Sequence, residues 1–157
     1  MLFRSNAANA QGARYREHPE AYKRTLAVEI EAGLRLTDAE TARGTAAQQE
    51  LQRTFAEFLT RYDYFVLPTS QLPPFDVALE YPVEIAGVRL DSYIDWMKSC
   101  WYVSATGHAA ASVPAGFTVE GLPVGLQIVG RDDVAVLQMA AAFEQATGFG
   151  KKRPPIA

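Results

Sequence analysis

The stretch Ala109–Gly130, AAASVPAGFTVEGLPVGLQIVG, constrains the chain most, because it reads as strand, tight turn, strand. Ala111, Val113, Phe117 and Val119 lead into Glu120-Gly121, a turn dipeptide. Val124, Leu126 and Ile128 then follow at period two. Pro114 and Gly116 interrupt the first run, and Pro123 opens the second. Proline cannot donate to a sheet ladder and glycine lets another backbone approach, so the hairpin is expected to bend. The final VGLQIVG is nearly all apolar, as expected for a strand covered on both faces.

A chain of 157 residues is long enough for one domain with a real core. A formal net charge of −3 gives no basic face of the kind that nucleic acid requires, so no nucleic-acid partner is expected. A lone cysteine, Cys100, rules out an intramolecular disulfide framework and fits a reducing compartment. The opening MLFRSNAANAQG has no apolar core of a secretory signal, and no run has the length of a membrane span. The expectation is a cytoplasmic protein with no membrane contact.

The first third is polar and helical. Residues 4–16 are Ala-rich, with Gly12 weakening a single unbroken helix. A second helix is predicted from Glu20 to Leu34, with Tyr22, Leu26, Ile30 and Leu34 at intervals of four and Gly33 as its C-cap. Thr37-Asp38-Ala39-Glu40 is a capping box that starts a long helix, amphipathic through Leu51, Phe55, Phe58, Leu59 and Tyr62 and ending at Arg61. A strand follows over Tyr64–Leu67, then a Pro-rich extended loop from Pro68 to Pro82. Residues 85–90 suit a small hairpin turning at Gly87, and Asp91 or Ser92 caps a helix to about Tyr102. The last helix is capped by Asp132 and ended by Gly148; being apolar nearly all round, it is predicted to be buried. The organisation is one domain over 1–157, with 1–62 mainly helical and 63–157 carrying the strands, a pocket-wall helix, the hairpin and the final helix. The fold class is α/β, a mixed β-sheet flanked by helices.

The wording of several segments is more specific than their periodicity. SVPAGF followed by GLPVGLQIVG resembles the C-terminal signature of the amidase-signature family. Four further pieces are similar to the family's and come in its order: RYDYFVLPTSQLPP (61–74), YIDWMKSCWYVSATGHAA (93–110), DDVAVLQMAAAFEQATG (132–148) and the KKRPP tail. The resemblance covers roughly Leu51 to Pro155 and implies the C-terminal part of an amidase-signature α/β/α fold. It also implies an enzyme that hydrolyses carboxylic amides through an acyl-enzyme, using a Ser–cis-Ser–Lys triad and backbone amides as oxyanion hole, with no metal or cofactor.

The family's catalytic residues lie on a Gly-Gly-Ser-Ser-Gly-type segment and an upstream lysine, and nothing here matches that segment. The chain has four lysines, at 23, 98, 151 and 152, and no Gly/Ser-rich stretch. No catalytic residue is therefore carried over. Ser99-Cys100-Trp101 lacks the Cys-Gly context of a cysteine protease, so Cys100 is expected as a small buried hydrophobe. Lys98 and Ser99 are adjacent on a helix and diverge, and Ser112 is expected to pack in a buried strand. Two histidines and one cysteine show no metal-ligand spacing.

What remains is a wall. Trp96, Cys100, Trp101 and Tyr102 precede a loop, Ser104 to His108. In the family the corresponding Asn-x-Thr-Gly-x-Pro segment helps line the acyl pocket. Here Ser104 stands for the Asn and Ala109 for the Pro, while Thr106 and Gly107 are kept. The candidate substrate-binding residues are Trp96, Cys100, Trp101, Ser104 and His108. The partners implied are a small-molecule amide and a catalytic N-terminal portion, on the same or a separate chain. Alone, the chain is expected to be inactive and to self-associate. The alternative is a free-standing, non-catalytic binding or assembly module. A third reading is the A subunit of an amidotransferase, from a branch of the same family, although Tyr-Ile-Asp-Trp-Met leans toward general amidases.

Overall fold

Small residues, rather than an apolar stripe, hold the N-terminal helices together. In the computed structural model, which describes residues 2–152, helix α1 (Leu2–Glu17) runs unbroken through Gly12. Gly12 persists in the helix because Leu34 fills its surface: a Cβ there would lie 3.0 Å from Leu34 Cδ2. The second helix begins later than its periodicity indicates. Pro19–Ala21 form a 3-10 turn, Lys23 is extended, and α2 spans Arg24–Leu34. Lys23 stands at the N-cap of α2 without a side-chain cap bond, and the turn after His18-Pro19 closes on its own, Tyr22 N–H donating to the Pro19 carbonyl.

Gly33 is not a C-cap. It lies inside the last turn of α2, where a Cβ would meet the Arg4 carbonyl oxygen at 2.0 Å, and the helix ends on right-handed Arg35. Ser5, Ala8 and Gly12 of α1 are buried, as are Ala27, Ile30 and Gly33 of α2. Glu29, only 1% exposed, is paired with Arg4 Nε at 2.7 Å. Such a buried carboxylate is tolerable only while its partner stays.

Helix α3 (Asp38–Arg61) starts at the capping box as read: Glu40 N–H donates to Thr37 Oγ1 at 3.2 Å, and Thr37 N–H donates to Glu40 Oε2 at 2.9 Å. The chain divides within this helix into two compact units, residues 1–51 and 52–157. Among the described residues, no helix is long and apolar enough to cross a membrane.

The second unit is built on a three-stranded sheet. Strand β1 (Tyr64–Pro68) leads into a stretch without regular structure. A two-residue ladder follows, β2 (Glu84–Ile85) with β3 (Val88–Arg89), turned by Ala86 (φ 50°) and Gly87 (φ 79°). Positive φ at both central residues is the turn that matches strand twist. Ser92 caps a 3-10 turn (Tyr93–Met97) that runs into helix α4 (Lys98–Thr106), closed by left-handed Gly107. The helix thus takes in Ser104, Ala105 and Thr106, which the sequence reads as loop.

Strands β4 (Ala109–Phe117) and β5 (Pro123–Gly130) form the hairpin, closed by Gly121 N–H donating to the Thr118 carbonyl at 2.9 Å. The bend falls where Pro114 and Gly116 place it, as a register shift between them with Gly116 at φ 132°. The order is β1–β5–β4 and both pairings are antiparallel.

Helix α5 (Asp133–Thr147) is capped by Asp132, whose Oδ1 accepts from Ala135 N–H at 2.8 Å. It covers β4 and β5, burying Ala140 over Val113 and Ile128 and Val136 against Gly130, with Tyr64, Met139 and Phe143 at the margin. It is not buried all round: Val134 and Leu137, the latter 63% exposed, point away. One sheet supplies only one face to bury, so the apolar side chains on the far side of the helix stay exposed. The opposite sheet face carries α4 and the end of α3, where Phe55 and Phe58 stand edge-on to Phe65 at 5.7 and 5.9 Å. The result is an α/β arrangement with helices on both faces of the sheet.

Candidate functional site

A glycine in the middle strand opens the α4 side of the sheet to polar chemistry. Thr69 N–H donates to the Gly125 carbonyl at 2.9 Å, prolonging the β1–β5 ladder by one residue. Without a Cβ on Gly125, the side chains from either side meet above it: Thr69 Oγ1 and Ser112 Oγ lie 2.7 Å apart. A Cβ at Gly125 would lie 2.8 Å from Thr69 Oγ1 and 3.1 Å from Ser112 Oγ. One hydroxyl donates to the other, which leaves a second O–H free to donate elsewhere.

The Thr69 carbonyl gathers the start of α4. It accepts from Ser99 Oγ at 2.8 Å and Cys100 Sγ at 3.1 Å, and from Gln127 Nε2 at 3.5 Å. Gln127, buried in β5, also donates to the Ser99 carbonyl at 3.3 Å. A glutamine in an apolar strand needs such partners, because an unpaired buried amide is costly. Gln71 Nε2 donates to the carbonyls of Asp95 and Trp96 at 2.8 and 2.6 Å, tying down the preceding turn.

The five wall residues do not share one spot. Trp96 stands edge-on to Phe75, centroids 5.4 Å apart. Its buried Nε1 is the one buried side-chain polar atom among the described residues without a partner. Trp101 Nε1 donates to the Ile94 carbonyl at 2.9 Å, so its ring braces the 3-10 turn. Cys100 and Ser104, four apart and both exposed, occupy one face of α4, where Ser104 Oγ donates to the Cys100 carbonyl at 3.2 Å. Cys100 is therefore not a buried hydrophobe, since its thiol points at a carbonyl at the protein surface.

His108 lies beyond the other end of α4, eight residues and about 12 Å along the helix from Cys100. It packs on Phe55 at 5.1 Å, and Nδ1–H donates to the Thr106 carbonyl at 2.9 Å. That bond places a proton on Nδ1, because a carbonyl oxygen can only accept. Ser112 is exposed rather than packed, because Gly125 beside it has no side chain to cover it. Sequence reading passed over Thr69, Gly125 and Gln127. The signal was the polar Gln inside the apolar VGLQIVG run.

Among the described residues, no base is hydrogen-bonded to Ser99, Cys100 or Ser112, and no group of three His, Cys, Asp or Glu is suited to a metal. The arrangement can bind and orient a polar group but does not activate a nucleophile. Asp95 is the titrating anchor. Burial alone would raise its pKa, but the amide of Ser92, the Lys98 ammonium and the amide of Asp91 outweigh it and hold the carboxyl below its ordinary range.

Two predictions arise here. A depressed folded-state pKa gives stability that is present above the ordinary carboxylate value and lost as pH falls through the folded one. The turn before α4 is thus expected to loosen as pH falls below the ordinary carboxylate range, with Asp95→Asn flattening the acid limb of a stability–pH curve. An unchanged limb in that variant contradicts the assignment. Gly125→Val is expected to cost about 2–3 kcal/mol by overpacking, read by urea denaturation, with faster exchange of the Gln127 side-chain amide. Wild-type stability would show that the glycine is not needed for the hydroxyl pair.

With this geometry in view, comparison with known proteins decides the family. The family model described as Amidase matches residues 7–136. The chain belongs to the amidase family. It is 35% identical over 123 residues to an acylamidase of Rhodococcus erythropolis, covering 76% of this chain and 26% of that protein. It is 38% identical over 108 residues to the A subunit of the glutamyl-tRNA(Gln) amidotransferase of Geobacillus kaustophilus, covering 68% of this chain and 21% of that one. Among solved structures it is similar to an amidase, with a TM-score of 0.79 and 28% identity over 91% of this chain and 33% of the other. A bacterial aryl acylamidase of the amidase-signature enzymes gives a TM-score of 0.75 and 26% identity over 95% and 34%. The chain therefore spans about a quarter of its curated relatives and a third of these structural neighbours.

Proposed function

We propose that this chain is the C-terminal structural and substrate-wall portion of an amidase that hydrolyses a carboxylic amide to the acid and ammonia or an amine. The observation that carries the reading is the polar platform over Gly125, set in a chain that matches amidases over a third or less of their length. In this reading the Ser–cis-Ser–Lys residues and the oxyanion hole stand outside these 157 residues, and the acyl-enzyme forms there. This chain supplies the wall. Trp96 and Phe75 give an apolar side, Trp101 braces the turn behind them, and the exposed face of α4 presents Cys100 and Ser104. The free hydroxyl of the Thr69–Ser112 pair is a donor for a carbonyl or carboxylate oxygen. His108 reaches the same substrate only if that substrate is extended, because the length of α4 separates it from Cys100.

No cofactor enters this scheme, and a cytoplasmic setting suits the free thiol. A separate polypeptide carrying the catalytic portion would use the same wall. The pure 157-residue chain is expected to hydrolyse no aryl or alkyl amide and to take no label from a fluorophosphonate serine probe. Steady hydrolysis that a point change within this chain abolishes would overturn the reading.

A further inference from the structure

The two tryptophans beside α4 differ in one respect. Trp101 Nε1 donates to the Ile94 carbonyl at 2.9 Å, whereas Trp96 Nε1 is buried without a hydrogen-bond partner. An indole N–H can only donate, and a buried donor left unpaired is costly. The acceptors of its own turn are already engaged. Gln71 Nε2 donates to the carbonyls of Asp95 and Trp96, and Asp95 N–H donates to the Ser92 carbonyl at 3.0 Å. The Asp95 carboxylate receives the amides of Asp91 and Ser92 and pairs with Lys98 at 3.4 Å.

The ring that carries this donor is not sealed in. Trp96 and Phe75 are both half-buried, with their planes at 87°. Two rings at right angles form a corner that suits a third flat ring. Phe75 follows Pro73-Pro74 in a stretch without regular structure, which meets the turn through rings: Phe75 on Trp96 and Tyr81 on Tyr93. A segment held by such contacts rather than by a backbone ladder opens at low cost. The turn also sets the charge of what enters. Residues 92–97, SYIDWM, carry no cation, and Lys98 beyond them is paired with Asp95. A buried anion would have no counter-charge there, so the fitting acceptor is a neutral oxygen.

We infer that Trp96 Nε1 is a substrate-binding donor for an uncharged carbonyl oxygen borne by an aromatic group, whose ring lies in the corner with Phe75. This deepens the proposed function and rests on it. In that reading the reacting carbonyl belongs to an oxyanion hole outside this chain, so the oxygen held by Trp96 is a second one. The substrate class is an amide that also carries a neutral carbonyl next to an aromatic ring. Because the indole N–H is already out of water before anything binds, a bond made to it is expected at the upper end of what a neutral hydrogen bond contributes.

The test titrates the isotope-labelled 157-residue chain with acetophenone and follows both indole N–H signals by NMR. In the free chain the unpaired Trp96 proton is expected upfield of the bonded Trp101 proton. Acetophenone is expected to move the Trp96 proton downfield and to leave that of Trp101 in place. Trp96→Phe keeps an aromatic ring and removes the N–H. It is expected to weaken acetophenone about 10-fold, read from the ligand's own relaxation. The affinity of α-methylstyrene, which has the same shape without the oxygen, is expected to stay unchanged in that variant. Benzoate, which carries a charge, is expected not to bind. A free-chain Trp96 proton as far downfield as that of Trp101 overturns the inference, because a partner is then already in place. So does absence of acetophenone binding, binding that moves neither indole, tight binding of benzoate, or an equal loss for acetophenone and α-methylstyrene in Trp96→Phe. Should that variant not fold, the wild-type chain decides: the Trp96 proton must move downfield with acetophenone and not with α-methylstyrene. Hydrolysis of an aryl amide by the pure chain contradicts the proposed function and leaves this site, which stands or falls on the titration.

Discussion

Replacing Gly33 with alanine is expected to force helices α1 and α2 apart and to cost about 3 kcal/mol, at the upper end of what overpacking a closed interface costs. The added methyl would sit 2.0 Å from the Arg4 carbonyl oxygen and 2.8 Å from Ala8 Cβ. Neither obstacle is the end of a flexible side chain. One is helix backbone and the other is the first atom of a side chain, so the helices themselves must move. That movement also pulls on the Arg4–Glu29 pair, in which a nearly fully buried carboxylate has its cation at 2.7 Å. The variant should lose ellipticity earlier in urea, with faster amide exchange along both helices. Wild-type stability would mean that the helices are not in contact at Gly33.

Truncating Ile128 to alanine is expected to cost about 3–4 kcal/mol, within the range for large-to-small changes in a closed core. Ile128 is 0% exposed at the centre of β5, between Ala111 on one side and Val66 on the other, under Ala140 of α5. The backbone of a middle strand is bonded on both sides, so it has little freedom to collapse into the vacated volume. The urea midpoint should fall with an unchanged denaturant slope. A loss below about 1 kcal/mol would show that α5 does not seal this face.

Features written within a few residues were legible in the sequence. Thr37 and Glu40 find each other because a helix start needs only its own first turn. Glu120-Gly121 and Gly87 turn where they stand for the same reason, as local backbone geometry decides them. Gly33 was not legible, because its purpose is the carbonyl of Arg4, 29 positions earlier. Nor was the exposure of Ser112, whose partner Thr69 is 43 residues away across a glycine. The composition of α5 suggested burial on every side, but a helix buries only the faces that the sheet beneath it can cover. Of the wall, the shared face of Cys100 and Ser104 was not legible, because Cys100 reads as buried and Ser104 as loop until α4 is seen to run on through Thr106 before left-handed Gly107 ends it. The separation of His108 was hidden for the same reason.

In the proposed function this chain works as one part of an amidase whose reacting groups lie outside it. An antibody raised against the 157-residue chain, used for native pull-down from extracts of the source cells followed by denaturing electrophoresis, tests this most directly. A band far above 17.2 kDa is expected, or a 17.2 kDa band that co-purifies with a second amidase-family chain. A 17.2 kDa band that purifies alone, with no amidase chain beside it, would contradict it.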